Sequence, residues 1–223
     1  MEDPMKKTDK RNKPGPRTSD KSPQPMVDGL SPFPLEVPDR LIEAFRHYRV
    51  NPVLSGGGAV QVWTGCSDGL FATGDLDFVT SLNVRDIREF GAELDGRYAV
   101  LEGVVIEFPS ADLGVGDLYL DPILDSRVAS TKSGAEIRVI RPEACVLDRL
   151  TQVVFASVAE AYLQAFAVAM SQSSMPGWVS SWIDDAARKA NLGKIWEFLR
   201  SELKRSRPSE DTVEMALKIG PGN

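Results

Sequence analysis

The chain has 223 residues, of which 42% are hydrophobic and 26% are charged, proportions typical of a globular protein with one domain or one domain plus an added lobe. A formal net charge of -6 argues against a dedicated nucleic-acid scaffold, because no overall positive field attracts phosphates. One histidine and two cysteines are too few for a structural zinc site, and two distant cysteines define no disulfide framework, so we expect a cytoplasmic protein.

Residues 1–35 are rich in Lys, Pro and Ser and contain few large apolar side chains. Such a segment buries too little surface to offset the entropy lost on ordering it, so we predict a disordered tail. Within it, residues 1–25 hold seven basic and four acidic side chains, which leaves a charge of -9 on the rest of the chain. The tail is therefore basic, and contact with RNA through it stays open beside its interpretation as a solvated segment.

Residues 36–141 alternate between predicted helices and strands. Pro38 opens a helix whose apolar residues recur at helical spacing as far as Tyr48. The predicted elements that follow are a strand at 52–54, a helix at 59–63, a strand at 75–80, a helix at 86–94, paired strands at 98–101 and 104–108, and a hairpin of 123–129 with 136–140. This order predicts an α/β (α+β) fold, in which helices flank a mixed β-sheet.

Residues 142–205 are predicted to form a helical lobe. The segment begins with a proline, which the first turn of a helix tolerates. We predict one helix from 143 to 171 and another from 179 to 204 that is broken near Asn191. The last residues, 206–223, are polar and contain Pro and Gly, so we predict a flexible C-terminal tail.

The apolar stretch 153–170 approaches membrane length but carries Glu160 and Gln164 near its middle. Burying a carboxylate at the centre of a bilayer costs about 2.5 to 3.5 kcal/mol. We therefore predict a buried helix and no association with a membrane.

One short motif suggests hydrolysis, and the rest of the sequence argues against it. Residues 65–69 match the G-x-S-x-G pattern of serine hydrolases around Ser67. That mechanism needs a histidine base after the serine, whereas His47, the one histidine of the sequence, precedes it. We interpret these glycines as part of a loop.

A run of three glycines, residues 56–58, follows Ser55 between a predicted strand and a predicted helix. Backbone amides at the start of a helix attract anions, and glycine lets a phosphate approach the backbone closely. A tight turn is the other interpretation of this run when it is taken alone.

Three carboxylates stand in strands that otherwise alternate with apolar residues. Asp75 and Asp77 flank Leu76, so period-two alternation puts both carboxylates on one face of their strand. Glu107 follows Ile106 in a later strand in the same way. Carboxylates that lie close together repel each other unless a cation neutralises them, and Mg²⁺ prefers such oxygen ligands. The ordered set of glycine run, D-x-D and single Glu is far more specific than any of its parts.

Three stretches together resemble the nucleotidyltransferase superfamily that includes DNA polymerase beta. They read LSGGGAV at 54–60, ATGDLDFV at 72–79 and IEFP at 106–109. The chain is most similar to the minimal bacterial branch, which includes toxin and abortive-infection nucleotidyltransferases, and the likeness continues with RPEACVLDRL at 141–150. In all, the resemblance covers roughly residues 50–200.

The resemblance implies a role for each matching residue. Catalysis and metal binding fall to the carboxylates Asp75, Asp77 and Glu107. Nucleotide binding falls to Ser55, Gly56, Gly57, Thr73 and Arg149. For the arginine, a structural ion pair is the alternative role.

The implied reaction is Mg²⁺-dependent transfer of an NMP group from an NTP to an acceptor, with two ions that stabilise the attacking and leaving oxygens. The acceptor is a protein, an RNA or a small molecule, and a protein partner encoded nearby would fit a toxin–antitoxin system. Phe71 and Leu147 stand where many relatives carry basic residues. These departures keep a second function open, that of a non-catalytic nucleotide-binding or antitoxin-type interaction module with a degenerate nucleotidyltransferase fold.

Overall fold

The computed structural model describes residues 36–222, so the tail predicted at 1–35 lies outside the described residues. Within the described range the chain forms seven α-helices and nine β-strands, and seven of the strands build one mixed sheet. The predicted α/β class, with helices around a mixed sheet, is therefore confirmed.

The nine strands are, in chain order, β1 (Val53–Leu54), β2 (Leu76–Val79), β3 (Glu93–Asp95), β4 (Tyr98–Leu101), β5 (Val104–Glu107), β6 (Gly114–Val115), β7 (Leu118–Tyr119), β8 (Ser126–Ser130) and β9 (Glu136–Ile140). Strands β6 and β7 form a separate hairpin, and the other seven lie in the order β3-β4-β5-β2-β1-β9-β8. The neighbours β2 and β5 run parallel, as do β1 and β9, whereas the other neighbours are antiparallel.

The helices are α1 (Asp39–His47), α2 (Gly56–Thr64), α3 (Pro142–Ala156), α4 (Ala159–Gln172), α5 (Ser180–Lys189), α6 (Gly193–Glu202) and α7 (Glu210–Leu217). Helix α1 covers one face of the sheet, because the ring of Phe45 lies 5.1 Å from the ring of Phe78 and 6.2 Å from that of Phe108. Successive residues of a strand face opposite sides, so Asp77 points to the face away from α1.

Helix α2 lies on that second face and is held there at its C-terminal end. The indole Nε1 of Trp63 donates to the carbonyl oxygen of Ile140 in the sheet at 2.8 Å. From α4, Gln172 Nε2 and Ser171 Oγ donate to the carbonyl oxygen of Trp63 at 2.7 and 2.9 Å. The sheet and α4 therefore fix the position of α2, and with it the position of the glycine run at its start.

A buried ion pair joins the end of the sheet to the helices. Arg141 Nε and Nη2 donate to the carboxylate of Glu143 at 3.0 and 3.1 Å, and that carboxylate is fully buried. The backbone amide of Val179, just before α5, donates to the same carboxylate at 2.6 Å, and the guanidinium of Arg141 lies 4.1 Å from the ring of Trp182. One buried charge thus connects β9, α3 and α5.

The helix predicted at 86–94 is wrong. Only Asp86–Phe90 is helical, as a short 3-10 turn, and Gly91 then takes a φ of 93° that turns the chain into β3. Leu94 lies in that strand and is 39% exposed. Glycine reaches a positive φ without a steric penalty, which is why the turn ends here.

The single helix predicted from 143 to 171 is divided into α3 and α4. Ser157 adopts φ 57° and ψ 36°, a left-handed conformation that ends α3, and its amide donates to the carbonyl oxygen of Val153 at 3.1 Å. The break predicted near Asn191 is confirmed, because this residue has a φ of 58° between α5 and α6. In the described part of the chain, no helix combines the length and the apolar character that crossing a membrane requires.

The segment predicted as a flexible tail, 206–223, contains helix α7. Ser209 Oγ accepts a hydrogen bond from the amide of Thr212 at 3.2 Å and thereby caps the helix. Thr212 and Ala216 are buried against the rest of the protein. The predicted tail misses this helix because its most buried residues are small, while Val213 and Leu217 are only partly buried against the core.

Candidate metal centre

The three predicted carboxylates converge where the start of β2 lies beside the end of the parallel strand β5. Asp77 in β2 lies directly beside Glu107 in β5, so both side chains project from the same face of the sheet. Asp75 precedes β2 by one residue and reaches the same position. One carboxylate oxygen from each of the three lies within 4.8 Å of the others, and all three residues are half-buried.

Ionisation of Asp77 within this triad is unfavourable. Burial, followed by the charges of Asp75 and Glu107, raises the pKa of Asp77 to about 7. The charge of Arg149 opposes this change and lowers the pKa of Asp77. A cation placed among the three carboxylates would remove the repulsion, and a set of donors made only of carboxylate oxygens fits Mg²⁺.

The start of α2 lies against the triad at a distance that only glycine permits. Gly56 has a φ of 60°, and a Cβ on it would lie 2.0 Å from Asp77 Oδ2. A Cβ on Gly57 would lie 2.6 Å from Thr73 Oγ1. The glycine run is therefore more than a turn, because its first two members place the first amides of a helix next to the carboxylates.

Ser55 and Thr73 form hydrogen bonds with the backbone of the two aspartates near this contact. The amide and the hydroxyl of Ser55 both donate to the carbonyl oxygen of Asp77, at 2.9 and 3.3 Å. Although Ser55 precedes α2, its side chain makes no capping hydrogen bond to the first turn of the helix. Thr73 Oγ1 donates to the carbonyl oxygen of Asp75 at 2.9 Å and so fixes the loop that carries that carboxylate.

Arg149 in α3 makes the structural ion pair that the sequence left open as one of its two roles. Its Nη2 and Nε donate to Asp148 Oδ2 at 2.6 and 3.0 Å, which is the structural ion pair. Its charge also acts on Asp77, whose pKa it lowers. Sequence reasoning missed Asp148 as the partner, although the two residues are adjacent in the chain.

Two further residues of the site, Arg97 and Tyr98, were not predicted. Tyr98 in β4 is the register partner of Glu107, so β4 extends the same row of side chains across the sheet. Arg97 Nε lies 3.3 Å from Glu107 Oε1. The pairing of β4 with β5 could have indicated both residues, because its register places Tyr98 beside Glu107 and brings the adjacent Arg97 close to the same carboxylate.

Comparison with protein-family models, with curated proteins and with solved structures gives no match to this chain. The chemistry of the site is therefore interpreted from its own residues.

Proposed function

We propose that this protein is a Mg²⁺-dependent nucleotidyltransferase, which moves an NMP group from an NTP to a hydroxyl group of an acceptor. The observation that carries the proposal is the convergence of Asp75, Asp77 and Glu107 within 4.8 Å, next to a helix start where Gly56 is required sterically. The resemblance of the same residues to the nucleotidyltransferase superfamily supports it independently of their geometry.

The chain's residues divide into a metal-holding group and a phosphate-holding group. The three carboxylates would hold Mg²⁺, which when bound neutralises charge on the reacting phosphate and on the attacking oxygen. The first amides of α2, at Gly57 and Gly58, would donate to the triphosphate, helped by the positive end of the helix dipole. Arg149, whose charge acts on Asp77, would add a positive charge to the site.

The proposed reaction forms one bond, breaks one bond and transfers one proton. The acceptor oxygen forms a bond to the α-phosphorus, the bond from that phosphorus to the bridging oxygen breaks, and pyrophosphate leaves. Glu107 accepts the proton of the acceptor hydroxyl, because it is the carboxylate farthest along the row from α2. Its side chain keeps 12% of its surface exposed, and Arg97, which contacts it, is itself exposed.

A second candidate is a nucleotide-binding or antitoxin-type module without catalysis. One observation favours it: Glu107 Oε1 already has a cationic partner in Arg97 at 3.3 Å. In such a module this ion pair would satisfy the third carboxylate permanently, and no metal would be needed at that position.

The experiment is incubation of the protein with each labelled NTP, Mg²⁺ and a cell extract as the source of acceptors. Wild-type protein should transfer label, and the D75N/D77N double variant should not. The matched control is D184N/D185N, which likewise removes two negative charges, from adjacent residues of α5. Label transfer that persists in D75N/D77N contradicts the proposed site. Mg²⁺-dependent binding of ATP without label transfer favours the second candidate.

A further inference from the structure

Arg97 is placed at the triad by three contacts. It stands in the turn between β3 and β4, and its Nε lies 3.3 Å from Glu107 Oε1. Its Nη2 donates to the hydroxyl of Tyr98 at 2.5 Å, and its guanidinium carbon is 4.8 Å from the centre of the Tyr98 ring. The side chain is nevertheless 71% exposed, so little packing prevents it from breaking these contacts and moving.

The sheet register explains why this arginine reaches the carboxylates. Asp77, Glu107 and Tyr98 are register partners across β2, β5 and β4, so their side chains form one row on one face. Arg97 precedes Tyr98 directly and lies at the end of the row opposite to Gly56. The triad is therefore enclosed between helix amides on one side and a guanidinium on the other.

A divalent cation and Arg97 compete for the carboxylate of Glu107. A metal held by all three carboxylates takes the charge of Glu107, which is the ionic partner of the arginine. The two cations would also repel each other at the short distances that the triad imposes. A guanidinium released from Glu107 keeps the Tyr98 hydroxyl as a partner and gains room to meet an anion.

We propose that Arg97 exchanges partners during binding: it pairs with Glu107 in the metal-free protein and with a phosphate oxygen of the nucleotide once a metal occupies the triad. This inference rests on the proposed function, since it assumes a metal at the triad. It assigns Arg97 the role of a positioning residue for Glu107 and of a contact for phosphate. Arginine suits the second role because its planar fork donates two hydrogen bonds to phosphate oxygens.

The test measures two affinities that should change in opposite directions in R97Q. For Mn²⁺ alone, followed by calorimetry, loss of the competing charge should tighten binding about three- to tenfold. For inorganic tripolyphosphate in excess Mg²⁺, a probe of the phosphate chain without a base, loss of the guanidinium should weaken binding about three- to tenfold. A purely structural role of Arg97 would weaken both.

Two further variants separate charge from geometry. R97K keeps the charge, so it should bind Mn²⁺ as the wild type does, while its tripolyphosphate binding should fall because the fork is lost. R40Q is the matched control, because Arg40 is also an exposed arginine and pairs with a carboxylate outside the triad, that of Glu102 at 3.5 Å. It should leave both affinities unchanged.

The outcomes distinguish this inference from the proposed function. If R97Q leaves Mn²⁺ affinity unchanged or weakens it, while D77N abolishes Mn²⁺ binding, the partner exchange is refuted and the metal centre stands. If the wild-type protein shows no Mn²⁺ binding that depends on Asp77, both proposals fail. Thermal melting of R97Q that matches the wild type excludes loss of the fold as the cause.

Discussion

At the scale of single residues, Gly56 links the fold to the candidate metal centre. A Cβ at this position would lie 2.0 Å from Asp77 Oδ2, and the φ of 60° belongs to the left-handed region. Any side chain here would meet two separate penalties, the strain of the backbone and the collision with Asp77. The glycine therefore sets how closely α2 approaches the carboxylates.

We predict that G56A loses Mn²⁺ affinity about tenfold or more, because Asp77 must move away from the triad, which costs upwards of about 1.4 kcal/mol in binding. The control is G65A, at the C-terminal end of the same helix, where φ is 69° and no atom lies within 4 Å of the added Cβ. This variant should lose about 1 to 2 kcal/mol of stability from backbone strain alone and bind Mn²⁺ normally. Equal metal affinity in both variants would contradict the collision with Asp77. Calorimetry and urea unfolding provide the two measurements.

The raised pKa of Asp77 predicts how stability depends on pH. In the unfolded chain this carboxyl loses its proton near about pH 4, whereas in the folded protein its pKa is about 7. Between those values the folded state binds more protons than the unfolded state, so stability is lost as the pH rises through about 7.

Urea unfolding in EDTA should therefore show that wild-type protein is less stable at pH 8 than D77N, while the two are similar at pH 4. Added Mg²⁺ should restore the stability of the wild type at pH 8 and leave D77N unchanged, because only the ion-binding folded state gains free energy. A wild-type curve that runs parallel to the D77N curve from pH 4 to pH 8 would refute this explanation.

At the scale of elements, the sequence predicts well those features that depend only on neighbouring residues in the chain. The alternation around Asp77 and around Glu107 indicated the correct face of each strand, because side-chain direction in a strand follows from parity alone. It gave no means of placing β5 beside β2, since that pairing joins residues about 30 positions apart in the chain. Arg97 was missed for another reason: the pairing of β4 with β5 was predicted, but Arg97 precedes the predicted strand and its contact with Glu107 depends on the exact register.

The helical errors have different physical causes. Ser157 breaks α3 from α4 in a left-handed conformation that few non-glycine residues adopt, so composition offered no warning. Helix α7 went unpredicted because its contact side has no large apolar residue at full burial; Thr212 and Ala216 pack there instead. Tertiary packing, which is not written in local sequence, decides both cases.

For α7 we predict that S209A lowers the free energy of unfolding by about 0.5 to 2 kcal/mol, because the first turn loses its side-chain acceptor at Ser209 Oγ. The control is S201A, since Ser201 Oγ only donates to the carbonyl oxygen of Phe198 within its own helix and is exposed. That variant should change stability by less than about 0.5 kcal/mol. If α7 were unfolded in solution, the two variants would be equally harmless in urea unfolding.

At the scale of the whole molecule, the Arg141–Glu143 pair couples the sheet to the helical half. Glu143 has no exposed surface and accepts hydrogen bonds from Arg141 and from the backbone of Val179. Removal of its charge would leave the guanidinium of Arg141, also buried, without its main counter-ion. The helices that hold α2 against the sheet depend on this contact through α3.

E143Q should therefore lower the free energy of unfolding by about 3 to 5 kcal/mol, the range for breaking one side of a buried ion pair. D185N serves as the control, because Asp185 pairs with Lys189 at the surface of α5, and it should change stability by less than about 0.5 kcal/mol. Equal midpoints for the two variants in urea would show that the buried pair contributes no more than an exposed one.

The in-register pairing of β2 with β5 has a consequence for how this protein can change over evolutionary time. Asp77 stands beside Glu107 and Leu76 beside Ile106, so the acidic row and the apolar row are set by the same alignment. Slipping β5 by one position would turn Ile106 outward and force Glu107 into the interior, which would destroy the fold together with the acidic row. An inserted or deleted residue in this strand would therefore shift both rows at once, whereas a substitution at a carboxylate changes the acidic row alone. Descendants that lose the proposed metal site should thus conserve strand lengths and differ at the carboxylate positions.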